Sequence, residues 1–129
     1  MRANFILYVA DQKASALFYE QVLKVRPTLD VPGMTEFKLN AQTVLGLMPV
    51  AGIRRLLGPK LRDPDHAKGV PRAEIYLSVD DPQSFHQRAL DCGATELSPF
   101  TIRDWGDEAA YSLDLDGHVL AFARTATTS

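Results

Sequence analysis

One spacing constrains this chain more than any other. A shift of about 70 positions lays Leu7, Val9 and Asp11 on Leu77, Val79 and Asp81. In both places an alternating run, whose side chains fall on opposite faces of a strand, ends in an aspartate suited to cap a helix. Asp11 opens a predicted helix to about Lys24, with Ala14, Leu17, Phe18 and Val22 as its apolar stripe. Arg26-Pro27 ends it, because proline cannot donate a hydrogen bond and disfavours helical geometry in the residue before it. Asp81-Pro82 opens a second helix with Phe85, Ala89 and Cys92 inward, and Gly93 closes it where a left-handed residue is wanted.

Three short strands are predicted after each helix. The first set covers 28–31, 34–39 and 43–48, separated by Pro32-Gly33 and Asn40-Ala41-Gln42. The second covers 95–101, 110–113 and 119–123, and its last two strands flank the tight turn Asp114-Leu115-Asp116-Gly117. With the leading strands at 5–9 and 73–79, each half reads βαβββ. Phe37 and Leu39 match Tyr111 and Leu113, and Gly46 matches Ala121. Between the halves, 49–71 is rich in Gly and Pro and reads as a long loop in which only 53–57 could make a helical turn. The predicted organisation is one domain over 1–129, with module 1 at about 1–49, a connecting loop at about 50–71 and module 2 at about 72–125.

Composition narrows the function classes. Fourteen basic against sixteen acidic residues, net charge -2, provide no positive field for a phosphate backbone, so no nucleic-acid partner is expected. No apolar run approaches the roughly 20 residues that span a bilayer, so no membrane partner is expected and the chain is placed in the cytoplasm. A single cysteine, Cys92, cannot close an internal disulfide and reads as a small core residue.

The chain resembles the vicinal oxygen chelate superfamily, the glyoxalase, bleomycin-resistance and extradiol-dioxygenase group. The residues that carry the resemblance are Leu7-Tyr8-Val9-Ala10-Asp11 with Phe18-Tyr19 and Val22-Leu23, Leu77-Ser78-Val79-Asp80-Asp81, Trp105-Gly106-Asp107 and Asp114-Leu115-Asp116-Gly117-His118. Together they span nearly the whole chain. The resemblance implies an α+β fold of two tandem βαβββ modules, each a curved sheet with its helix outside, forming an incomplete barrel or cup around a ligand. It also implies four metal-ligand positions, which fall here on Asn4, Gly46, Glu74 and Ala121. Two of these have no donor side chain and Asn4 is a weak ligand, so no metal is expected.

Strand alternation sorts the remaining candidates. The faces bearing Phe5, Leu7, Val9, Ile75, Leu77 and Val79 are apolar and suit helix packing. The opposite faces carry Asn4, Ile6 and Tyr8, then Glu74, Tyr76 and Ser78, then Val44, Gly46 and Met48, then Val119, Ala121 and Ala123. Glu74 meets a cation or hydrogen-bond donor of a ligand, acts as a base, or is bonded to Tyr8, Tyr76 or Asn4. Tyr8, Tyr76, Tyr111 and Trp105 could stack on a flat ligand, and Trp105, in a glycine-flanked loop, is the foremost of them. His118 has the parity of Leu120 and Phe122 and reads as structural, while His66 and His86 do not converge with it on a metal cluster. The Asp114–Gly117 turn lacks the glutamate of a calcium loop. Arg54, Arg55, Lys60 and Arg62 could steer an anionic ligand to the mouth of the cup, but a short basic cluster is usually a solvated surface and is read as one.

The function expected from these residues is metal-independent binding of a small molecule, as in sequestration of a drug or aromatic metabolite, with Asn4, Tyr8, Met48, Glu74, Tyr76, Trp105 and Tyr111 as ligand contacts. No cofactor is predicted. The alternative is a metal-dependent lyase, isomerase or dioxygenase with a degenerate ligand set that includes Glu74. A homodimer is expected, because each module leaves a strand edge to be covered.

Overall fold

Residues 1–126 are described in a computed structural model of the chain. They fall into two units, the first ending at Lys68 and the second beginning at Gly69.

In the first unit, β1 (Ala3–Val9) leads through Asp11 into α1 (Gln12–Leu23), whose first turn is capped by the Asp11 carboxylate accepting from the Ala14 amide at 3.0 Å. Strands β2 (Leu29–Val31), β3 (Met34–Asn40) and β4 (Thr43–Pro49) follow, and the sheet order is β1-β4-β3-β2 with β1 and β4 parallel. The second unit repeats the plan with β5 (Glu74–Ser78), α3 (Pro82–Asp91), β6 (Thr95–Ile102), β7 (Asp107–Leu113) and β8 (Val119–Thr125), in the order β5-β8-β7-β6. The α+β class and the βαβββ repeat are as predicted. Neither four-stranded sheet closes into a barrel.

Each sheet presents one face to its helix. In the first unit Val9, Phe37, Leu45 and Leu47 are fully buried there with Phe18, Tyr19 and Val22 of α1. Each such side chain contributes about 1.5–3 kcal/mol relative to exposure. Gln12 ties the start of α1 to the hairpin beside it: its amide donates to Val31 O and Thr35 Oγ1 and accepts from the Gly33 amide. In the second unit Phe85 of α3 stacks on Phe122 at 5.2 Å between ring centroids. The buried His86 bonds through Nε2 to Glu96 Oε2 at 2.8 Å, joining α3 to β6.

Several expectations need correction. The stripe of α1 is rotated: Ala14 is exposed and Leu17 is 55% exposed, whereas Ser15, Phe18, Tyr19, Val22 and Leu23 are buried. Ser15 is small enough to face the sheet at close approach, which an apolar count overlooks. Phe5 shares the parity of Val9 but is 61% exposed on the edge strand β1, whereas α1 packs on β3 and β4. Helix α1 ends at Leu23, within a residue of the expected bound, but its stop is the left-handed Lys24 at φ 56 and not Arg26-Pro27. The segment after β4 is not merely a loop: Val50–Leu57 forms helix α2, followed by single 3-10 turns at Gly58–Lys60 and Pro64–Ala67. Its glycines lowered the helical reading, yet Gly58 lies at the cap, where glycine favours termination.

The matching of the halves was also one residue out in β3. Phe37 pairs with Leu45 on the helix-covered face, whereas Tyr111 pairs with Ala121 on the opposite one. Glu36, which pairs with Gly46, is the true counterpart of Tyr111. A slip of one residue exchanges the two faces of a strand. The match of Gly46 with Ala121 stands, since Ile6 pairs with Gly46 as Tyr76 pairs with Ala121.

Candidate functional site

The face of the second sheet turned away from α3 gathers four of the expected contacts. Register places Glu74 and Tyr76 of β5 beside Val119 and Ala121 of β8, and Tyr111 of β7 on the other side of Ala121. Ala121, Ala123 and Ala109 form a fully buried small-residue floor, and the larger side chains rise around it. The rings of Tyr76 and Tyr111 lie 6.5 Å apart.

A loop completes the cluster. Arg103 N donates to Asp107 O at 2.7 Å and Gly106 N to Arg103 O at 3.2 Å, with Gly106 at φ 92, where a side chain would be strained. This tight turn aims Trp105 back at the sheet, so its indole Nε1 donates to the Tyr76 hydroxyl at 3.0 Å. Tyr76 in turn donates to Asp107 Oδ2 at 2.6 Å. Arg103 lies over the Tyr111 ring, 5.0 Å from its centroid. Bonds to Ala109 O, Ser98 Oγ and Pro99 O hold its guanidinium in place.

The electrostatics are those of a partly dried, carboxylate-rich surface. Partial burial, reinforced by the bond to Asp107, raises the Tyr76 phenol above its ordinary range. Partial burial and then the charge of Glu74 raise Tyr111. Glu74 itself is exposed and makes no hydrogen bond or ion pair among the described residues. Its expected structural partners are engaged elsewhere: Tyr76 with Asp107, and Asn4 with Glu36 Oε2 at 3.2 Å.

The other three expected contacts lie in the first unit. Tyr8 and Met48 are cross-strand neighbours, both half-buried, and Asn4 is exposed on the same face. Asp107, Arg103 and Glu36 were not anticipated. Asp107 has the parity of Tyr111, but a strand begun at 110 leaves it out. Arg103 sits in a loop, where no periodicity points to it.

His118 lies outside this cluster. Its Nδ1 bonds to both Asp114 oxygens, at 3.1 and 2.9 Å, while Asp114 Oδ1 also accepts from the amides of Asp116 and His118. Burial alone would lower the imidazole pKa, but the bond and charge of Asp114, with that of Asp116, raise it overall. Asp114, Asp116 and His118 do bring ligating atoms within 4.8 Å of one another, a grouping that the sequence reading did not foresee. The turn's own hydrogen bonds account for it.

No family model matches the chain. It is 31% identical over 117 residues to the uncharacterised protein Mb0911c of Mycobacterium bovis, a match that covers 85% of this chain and 74% of that protein. The chain belongs to one family with Mb0911c. Two Mycobacterium tuberculosis relatives match at the same identity, and the chain spans 66% of their length. Among solved structures, a glyoxalase-related enzyme from Fulvimarina pelagi superposes with TM-score 0.82 at 22% identity, over 97% of this chain and 88% of that one. A glyoxalase/bleomycin resistance protein/dioxygenase from Nocardioides superposes with TM-score 0.74 at 17% identity, over 100% of this chain and 85% of that one. The chain therefore shares its fold with these glyoxalase-related structures, the fold that the sequence resemblance implies.

The four positions where that resemblance puts metal ligands do not fit a divalent ion. In the first sheet a Cβ at Gly46 would stand 3.1 Å from Ile6 Cγ1 and 3.2 Å from Met34 Sδ, so side chains already close over that position. Asn4 gives its amide to Glu36. In the second sheet Ala121 is fully buried between Tyr76 and Tyr111 and carries no donor. Glu74 alone offers a strong oxygen ligand, and a divalent cation needs several.

Proposed function

We propose that this protein binds a small, flat organic molecule without a metal, at the aromatic cluster on the face of its second sheet turned away from α3, and acts by sequestration. The observation that carries this reading is the chain of bonds from Trp105 through Tyr76 to Asp107, beside the Tyr111 ring and the unpartnered Glu74 carboxylate. Aromatic walls with a few fixed polar groups suit a planar ligand. The two carboxylates, Glu74 and Asp107, favour one that carries an amine or another hydrogen-bond donor. The indole and phenol are held in place before a ligand arrives, so little conformational entropy is lost when one binds.

On this reading the donor-free positions Gly46 and Ala121 separate the protein from the metal-dependent lyases, isomerases and dioxygenases implied by the resemblance. Thermal-shift screening against aromatic amines, with elemental analysis of protein purified without chelator, tests both halves of the reading. Binding should raise the melting temperature by mass action. Stoichiometric Zn, Ni, Fe or Mn in the purified protein would replace this reading with the metal-dependent one. The protein is further proposed to work as a homodimer, which a monomeric mass in solution scattering would contradict.

A further inference from the structure

The last turn of helix α2 carries two consecutive arginines, and the chain then doubles back on them. Arg54 and Arg55 occupy its last turn, and Gly58, at φ 73, allows the reversal. Leu61 N donates to Gly58 O at 3.1 Å, and the returning strand of chain brings Asp63 Oδ2 to 3.4 Å from Arg54 Nη1. Helix and returning chain enclose an open concavity of about 670 Å³, walled by both arginines and Asp63 with Ala51, Pro59 and Leu61. Pockets that take small ligands run from about 300 to 1,000 Å³.

The charge of this segment is unlike that of the chain as a whole. The protein carries a net charge of -2, yet Arg54, Arg55, Lys60 and Arg62 face Asp63 alone between positions 54 and 63. Asp63 is shared, since its Oδ1 accepts from the Asp65 amide at 3.0 Å. Arg55 has no ion-pair partner among the described residues. A helix C-terminus carries roughly half a negative charge, so with Asp63 against Arg54 the Arg55 guanidinium still leaves the concavity net positive. Guanidinium forks match phosphate oxygens in pairs, which a lysine cannot do.

We propose that this concavity is a binding site for a phosphate dianion, free or as a phosphomonoester, held by Arg54 and Arg55, with Asp63 as the internal counter-ion that the ligand displaces. The inference is independent of the aromatic cluster, which lies in the other unit. Leu56 and Leu57 beside the arginines are 68% and 52% exposed, so the same chemistry suits either a soluble phosphate ester or a phosphomonoester lipid headgroup.

Amide chemical shifts of the full chain, followed during titration with inorganic phosphate against chloride at matched ionic strength, test the site. The expected result is saturable movement confined to residues 51–63. Arg55→Ala should weaken binding about tenfold, a loss of ~1.4 kcal/mol, and Asp63→Asn should strengthen it by removing the competing carboxylate. Unsaturable shifts that chloride reproduces, an Arg55→Ala variant with unchanged affinity, or weaker binding by Asp63→Asn would each overturn the proposal. Vesicles of phosphatidylcholine with and without phosphatidic acid separate the two sources. Co-sedimentation that requires phosphatidic acid and is competed by phosphate supports the headgroup, and phosphate binding without co-sedimentation supports the soluble ester. Absence of both overturns the site.

Discussion

The indole of Trp105, on a loop, donates its N–H to the hydroxyl of Tyr76, on a strand, across 29 positions of sequence and 3.0 Å of space. That bond orients the largest exposed aromatic of the second unit, and Asp107 fixes the phenol from its other side. Tyr76→Phe removes both bonds at once. Because Tyr76 is 36% exposed, the stability lost should lie at the low end for a hydrogen bond, about 0.5 kcal/mol. Trp105 is the only tryptophan, so its emission reports the change without ambiguity, and a red shift is expected as the indole loses its partner.

His118 should give the fold a pH dependence. Its imidazole is raised above 6.5 in the folded state, chiefly by the Asp114 bond and charge against the opposing effect of burial. A raised folded value means that protonation favours folding. The contribution is complete below about 6.5 and disappears as pH rises through the folded value. Urea midpoints measured across that window should fall with rising pH in the parent protein and fall less in His118→Gln.

Lys24 is a non-glycine residue in the left-handed region at the end of α1, with its amide bonded to Glu20 O at 3.0 Å. That conformation costs an L-residue roughly 1–2 kcal/mol, which glycine avoids. Lys24→Gly should therefore stabilise the protein by about 1 kcal/mol, less the added entropy of glycine in the unfolded chain. Chemical denaturation checks the sign.

Gly46 tests whether the first sheet has room at the position where the superfamily resemblance puts a ligand. Ile6 and Met34 stand against any Cβ there, though both are flexible side chains that can give way. Gly46→Ala should cost about 1 kcal/mol by overpacking. A neutral or stabilising result would mean that the position is open and would weaken the argument against a metal.

The repeat was legible because two periodicities agree. Alternation over 5–9 and 73–79, and the capping aspartates Asp11 and Asp81, belong to local geometry that a sequence displays directly. Face assignment survived for Tyr76, Tyr111 and Ala121, which the register places together. The match of Phe37 with Tyr111 fails by one residue, because Glu36 and not Phe37 stands opposite Gly46 as Tyr111 stands opposite Ala121, and apolar alternation alone does not fix that offset. Helix α2 was obscured by Gly52 and by the prolines after it, whose effect on a short helix depends on tertiary contacts such as those of the buried Ile53. The bonds among Trp105, Tyr76 and Asp107 join a loop to two strands, and only the folded chain brings them into reach.

The most direct test of metal-independent binding is a titration of Trp105 fluorescence with a panel of aromatic amines in the presence of a chelator, repeated on Tyr76→Phe. A saturable change that is indifferent to the chelator and weakened in the variant is the result predicted. A response that is absent under the chelator and returns only when a divalent metal is added would contradict the account.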